Sequence, residues 1–184
     1  MKVFYTASYY GKSKYQRYYN LVLQAIKRTG VEIISPEIGN YKDVLTTSLK
    51  KKLKSEKRIH GEAIRKGILI ADAVIIEASY EDFQLGFETA FAVENKKPLL
   101  CLSIHENFSE KMKYRYLTGA KYNEYNIEEI VENFIDMIKK DQFSKRFNCF
   151  LTHSQIVYLK SSAKSNNINV SEYLRSLIDK DRFP

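Results

Sequence analysis

Cysteine is scarce in this sequence, tryptophan is absent, and no apolar run approaches the roughly 18 to 20 residues that a membrane span requires. Cys101 and Cys149 each lie in an apolar segment with no second Cys or His at ligand spacing, which excludes a thiolate metal centre and predicts two buried thiols. The carboxylates do not gather with histidines at ligand spacing either, so no metal is expected, and no organic cofactor. Lacking an apolar span, and with Met1-Lys2 leading straight into a strand-like run instead of a signal or lipidation pattern, the chain is expected in the cytoplasm, with no membrane partner. The missing tryptophan, set against 14 tyrosines, fits the coding bias of an AT-rich genome and excludes no function.

What is present is a globular composition. Hydrophobic residues make up 44% and charged residues 28% of 184 residues, enough for one ordinary domain with its own core and one small appendage that needs a partner. A third domain is excluded. The formal charge of +8 favours anionic partners without naming one, since solvated lysine-rich surfaces are common.

Along the chain, the run Val3 to Ala7 reads as a strand ended by the turn Ser8-Tyr9-Tyr10-Gly11. Tyr18, Leu21, Val22, Ala25 and Ile26 then fall at helical spacing, and Gly30 sits where a helix C-cap belongs. Val31 to Ile34 is a second strand, broken by Pro36 and Gly39. The lysine-rich stretch from Leu49 to Arg58 reads as a loop leading into a solvated helix, and Ile59 to Leu69 as helical. Ala73 to Ile76 is a continuous apolar run of the kind found in the middle of a parallel sheet. Gly86 to Asn95 is helical, Pro98 to Leu102 is a buried strand, and Ile127 to Ile138 is an amphipathic helix. This alternation predicts an α/β fold, a flavodoxin-like parallel sheet covered by helices on both faces, with ligands at the C-terminal ends of its strands.

Three segments carry a resemblance: Ala71 to Ile76, Asp82-Phe83-Gln84-Leu85-Gly86-Phe87-Glu88-Thr89-Ala90, and Lys97 to Leu102. Together with the first strand and its Ser8 to Gly11 loop, they resemble the nucleoside 2-deoxyribosyltransferases and their relatives, the 2'-deoxynucleoside 5'-phosphate N-hydrolases, over residues 1–138. The Gly-x-Glu triplet six residues after Asp82 is the most specific element. Cleavage of an N-glycosidic bond builds positive charge at the sugar C1', and a carboxylate at a strand-to-helix turn can attack it to form a glycosyl-enzyme ester. The resemblance implies that Glu88 is the nucleophile and that Asp82 contacts base or sugar, while Gly86 lets the sugar approach the backbone. It also implies that the loop with Ser8, Tyr9, Gly11 and Lys12, at a helix N-terminus, helps bind a sugar hydroxyl or 5'-phosphate.

Two positions depart from that family. Its first strand carries a tyrosine that orients the glutamate, and the matching residue here is Phe4; some ribonucleotide-cleaving relatives tolerate phenylalanine there. The family's base-protonating aspartate, eight residues before Asp72, is replaced by Ile64. His60, one helical turn earlier, is the nearest residue able to substitute.

After the charged junction from Asp141 to Lys145 the texture changes. Phe147, Cys149 and Leu151 alternate with Asn148, Phe150 and Thr152 as in a short strand, followed by two short helices. The domains expected are therefore 1–140 and 145–184. The second resembles a ribbon-helix-helix module, which implies a homodimer whose paired strands read DNA through Arg146, Asn148 and Phe150, with a phosphate at the second helix's N-terminus near Ser171. A lone strand has no sheet to join, so a second copy is needed in any case.

Three functions stay open. One is an enzyme acting on a nucleoside or nucleotide through Glu88, by N-glycosidic cleavage or (deoxy)ribosyl transfer. Another is a degenerate pocket that senses a nucleotide for a DNA-binding regulator. The third is an NAD-cleaving domain of the Toll/interleukin-1-receptor type, whose layout is also flavodoxin-like but whose glutamate spacing fits less well.

Overall fold

The computed structural model of the protein describes residues 1–141 and 147–182. Two compact units divide the chain, Met1–Gln142 and Phe143–Pro184.

The first unit is built on five strands: β1 (Lys2–Ala7), β2 (Glu32–Ile34), β3 (Ala73–Glu77), β4 (Leu99–Ser103) and β5 (Leu117–Lys121). All pair in parallel, in the order β2-β1-β3-β4-β5, the doubly wound flavodoxin-like arrangement. β3 is central and fully buried because its neighbours cover both edges and helices cover both faces, which is why its sequence is a continuous apolar run.

Alternation along the strands sorts the core into two layers. On one face Val3, Tyr5, Ile75 and Leu100 pack against α1 (Lys12–Arg28) and α5 (Ile127–Asp141). On the other, Phe4, Val74, Ile76 and Cys101 pack against α3 (Glu56–Ile70) and α4 (Phe83–Glu94). The helix ends are set locally. Gly30 follows α1 with a left-handed φ of 70°, the C-terminal signature expected of it. The buried ammonium of Lys97 donates to the carbonyls of Leu69 and Ala71 and so satisfies the end of α3.

Three elements differ from the sequence expectation. The lysine-rich stretch contains a helix of its own, α2 (Thr47–Leu53), capped by the Thr46 hydroxyl on the Leu49 amide. β5 was not expected, because Leu-Thr-Gly-Ala-Lys lacks a β-branched run. Its glycine is there for space: a Cβ on Gly119 would lie 2.3 Å from Asn107 Oδ1 and 2.7 Å from the Ser109 amide. Those two residues belong to the connection between β4 and β5, where a doubly wound fold usually places a crossover helix. Here the connection carries only a short 3-10 turn, Phe108–Glu110, and a hollow remains beside α4.

The third difference lies in the second unit, which consists of α6 (His153–Ser165) and α7 (Val170–Arg182) around Leu159, Ala163 and Tyr173. Residues 147–152 form no strand, and Phe147, Asn148, Cys149 and Phe150 are exposed. Cys149 is therefore not the buried thiol expected, whereas Cys101 is buried and its thiol is pushed up to about 12. The physical reason is that one chain alone offers this segment no neighbouring strand. α6 starts with a reciprocal capping box between Thr152 and Gln155. At α7 the cap is Asn169, whose side chain accepts from the Glu172 amide at 2.9 Å while Glu172 accepts from the Asn169 amide at 3.0 Å. Ser171 is thus inside the first turn and is not the cap.

Among the described residues no helix is long and apolar enough to cross a membrane.

Candidate functional site

Glu88 enters the core from the second turn of α4. The helix begins at Asp82, whose Oδ1 accepts from the Leu85 amide at 2.9 Å and whose Oδ2 accepts from the Ser8 hydroxyl. Asp82 thereby fixes α4 against the end of β1, six residues ahead of Glu88. The Glu88 side chain points inward beneath Thr6 of β1 and is only 2% exposed.

One carboxylate oxygen is held and the other is bare. Glu88 Oε1 accepts from Gln84 Nε2 at 2.7 Å, an i,i+4 contact on one helix face. Oε2 is buried with no hydrogen-bond partner among the described residues. Burial pushes the carboxyl up to about 7; the Gln84 hydrogen bond and the nearby Thr6 hydroxyl oppose this, and the charge of Asp82 adds to it. None of these groups is a cation.

Beside Glu88 lies a cavity of about 210 Å³ whose wall includes His60, Ile64, Gln84 and Phe87. His60 and Ile64 are thus both brought to Glu88. His60 Nδ1 lies 2.9 Å from the Tyr41 hydroxyl and Nε2 lies 3.3 Å from Gln84 Nε2, giving a chain of contacts Tyr41–His60–Gln84–Glu88. Burial and the nearby Lys42 ammonium hold the His60 imidazole below its ordinary value.

The remaining sequence candidates fall elsewhere. Asp82 and Gly86 line a second cavity, about 540 Å³, on the other side of α4 in the hollow left by the β4–β5 connection. Phe4 is fully buried in the core with its ring against Gly67, where an added Cβ would lie 2.6 Å from the ring. Gly11 sits under Tyr19 and Tyr80, and an added Cβ there would stand 2.2 Å from the Tyr19 hydroxyl. Tyr9 is exposed, and Lys12 is paired with Glu37 at 2.9 Å, so neither reaches Glu88. In the second unit Asn148, Phe150 and Ser171 are exposed, and Arg146 lies outside the described residues.

Sequence reasoning passed over Gln84, Thr6 and Tyr41, although Gln84 stands four residues before Glu88 and could have been found by helical spacing. It also passed over a second buried acid. Glu77 ends β3 on the opposite face of the sheet, where Oε1 accepts from the hydroxyls of Ser79 and Tyr122, the latter at 2.9 Å, and Oε2 has no partner among the described residues. Burial pushes its carboxyl up to about 7 against those two hydrogen bonds. The signal was an acid terminating an otherwise apolar central strand.

Among the described residues no three His, Cys, Asp or Glu side chains gather closely enough to hold a metal ion. The site offers a carboxylate, a half-buried imidazole and a largely apolar wall, which is equipment for nucleophilic or proton-transfer chemistry on a small organic molecule. No protein-family model matches this chain, and no curated protein matches it significantly.

Proposed function

We propose that the first unit cleaves the N-glycosidic bond of a nucleoside or nucleotide, or transfers its (deoxy)ribosyl group, as the nucleoside 2-deoxyribosyltransferases and nucleotide N-hydrolases that it resembles do. In this reading the Glu88 carboxylate attacks C1' and the C1'–N bond breaks. The base leaves with the bonding electron pair and takes up a proton. Water then opens the glycosyl ester, or a second base does so in a transfer.

The observation that carries this reading is the state of Glu88: buried in the wall of a cavity, uncompensated by any cation, with one oxygen held by Gln84 and the other without a hydrogen-bond partner among the described residues. A carboxylate kept only for helix stability would gain more by facing water near the N-terminus of α4.

The test is incubation with a panel of nucleosides, 5'-nucleotides and NAD, with chromatography for released base. Release should be lost by at least about 100-fold in Glu88→Gln, the scale expected when a covalent nucleophile is removed. Because the nucleophile must be anionic, kcat/KM should rise with pH through a midpoint near 7, where Glu88 ionises. Base release from NAD alone would favour the NAD-cleaving alternative.

A second reading, a nucleotide sensor without turnover, is favoured by Ile64, which puts an alkyl side chain in the cavity wall where a base-protonating carboxylate is expected. Nucleotide binding by calorimetry without base release would decide for it. In either case the second unit is proposed to pair two chains in the cytoplasm and to bind DNA through residues 146–150. The exposed Phe147, Phe150 and Leu151 and the small core around Leu159 support the need for a partner.

A further inference from the structure

Gln84 Nε2 stands within hydrogen-bond distance of two acceptors at once, Glu88 Oε1 at 2.7 Å and His60 Nε2 at 3.3 Å. An amide nitrogen carries two hydrogens and no available lone pair, so it serves both only while Glu88 is an acceptor and His60 Nε2 is unprotonated. The imidazole proton then belongs on Nδ1, which faces the Tyr41 hydroxyl at 2.9 Å. Half a turn of the amide puts its oxygen in the same place. That oxygen accepts from a protonated His60 and from a protonated Glu88, and repels a carboxylate. An imidazolium beside a carboxylate leaves one of the two contacts opposed in either orientation.

We propose that Gln84 is a positioning residue that couples the two ionisations: the Glu88 carboxylate goes with neutral His60, and His60 gains its proton only as Glu88 loses its charge. Burial on both sides favours the uncharged partners of this pair. The other groups acting on it are few. Thr6 from β1 lies near Glu88, and the charge of Asp82 acts on it from the start of α4. Lys42 and Tyr41, from the turn before α2, face His60, while Arg65 on α3 is paired with Glu62 at 2.9 Å. For the proposed reaction, on whose reading this consequence rests, His60 is not the acid that protonates the departing base while Glu88 attacks.

The test is a nitrogen-15 NMR titration of the histidine side chains in the full-length protein. Three histidines are present, and the His60 signals are those missing in His60→Asn. Neutral His60 should be the Nδ1–H tautomer. Glu88→Gln should raise the His60 midpoint by about 0.5 pH unit or more, a threefold gain in proton affinity, because a neutral partner lets the amide oxygen face the imidazolium. Plain electrostatics has the opposite sign, since removing an anion lowers a histidine midpoint. In a Gln84→Leu background, at an exposed position, the rise should vanish. A neutral Nε2–H tautomer, a fall in the midpoint, or an unchanged response with Gln84→Leu would each overturn the coupling. None of these readings depends on turnover, so a chain that releases no base still tests the switch. Loss of base release in Glu88→Gln with His60 unmoved keeps the nucleophile and removes the switch.

Discussion

An acid sealed from water and given no counter-charge is held closer to its protonated form than the same acid in an unfolded chain. Glu77 and Glu88 both stand in that position, each raised from 4.5 to about 7 chiefly by burial. The folded chain therefore retains protons that the unfolded chain releases between pH 4.5 and 7. The contribution is favourable at low pH and is lost as pH rises through about 7. Glu77→Gln keeps the shape and removes the charge. From pH 5 to pH 8 its stability should improve relative to the parent by roughly 1 to 3 kcal/mol, on the scale of two shifted pH units. Urea unfolding of both proteins at the two pH values measures this, and a variant that gains nothing on the parent between pH 5 and pH 8 would contradict the placement of Glu77. Glu77 lies on the far face of the sheet from Glu88, so this stability effect is separable from base release.

At the scale of the element, α4 matters through its first residue. Asp82 caps the Leu85 amide and holds the Ser8 hydroxyl, joining the helix that carries Glu88 to the end of β1. Asp82→Ala should cost about 0.5 to 2 kcal/mol as a lost cap, read as a lowered midpoint in thermal or urea unfolding. Base release should fall with it, because the helix start positions Glu88. The sequence made α4, the central strand and the ends of α1 legible, since apolar period and a left-handed glycine are local signals. Glu88 was legible through spacing and resemblance, and so were His60 and Ile64 as its neighbours. The rest was written in contacts distant along the chain. Gly67 gives no sign in sequence that the Phe4 ring lies on it, and Gly119 looks like a strand breaker until Asn107 and Ser109 are seen against it. The helix start placed near Ser171 lies at Asn169, whose mutual hydrogen bonds with Glu172 three residues on close the first turn of α7.

For the whole molecule, the proposed pairing of two chains rests on the second unit. Leu159, Ala163 and Tyr173 are its buried apolar side chains among the described residues, too few to hold two 13-residue helices by themselves. Sedimentation of the full chain should show twice the monomer mass of 21.5 kDa. Phe147→Asp combined with Leu151→Asp should return it to the monomer, and a parent chain already monomeric at tens of micromolar would remove the pairing role.

The helix missing between β4 and β5 leaves the outer edge of the sheet under a ribbon of chain in which Lys111, Lys113 and Arg115 are all exposed. A protease needs locally unfolded backbone to work on, and a connection with one short turn yields it at little cost in free energy. Within residues 1–141 a brief tryptic digest should nick first between Lys111 and Arg115. A small molecule lodged in the neighbouring hollow would announce itself by slowing that cut.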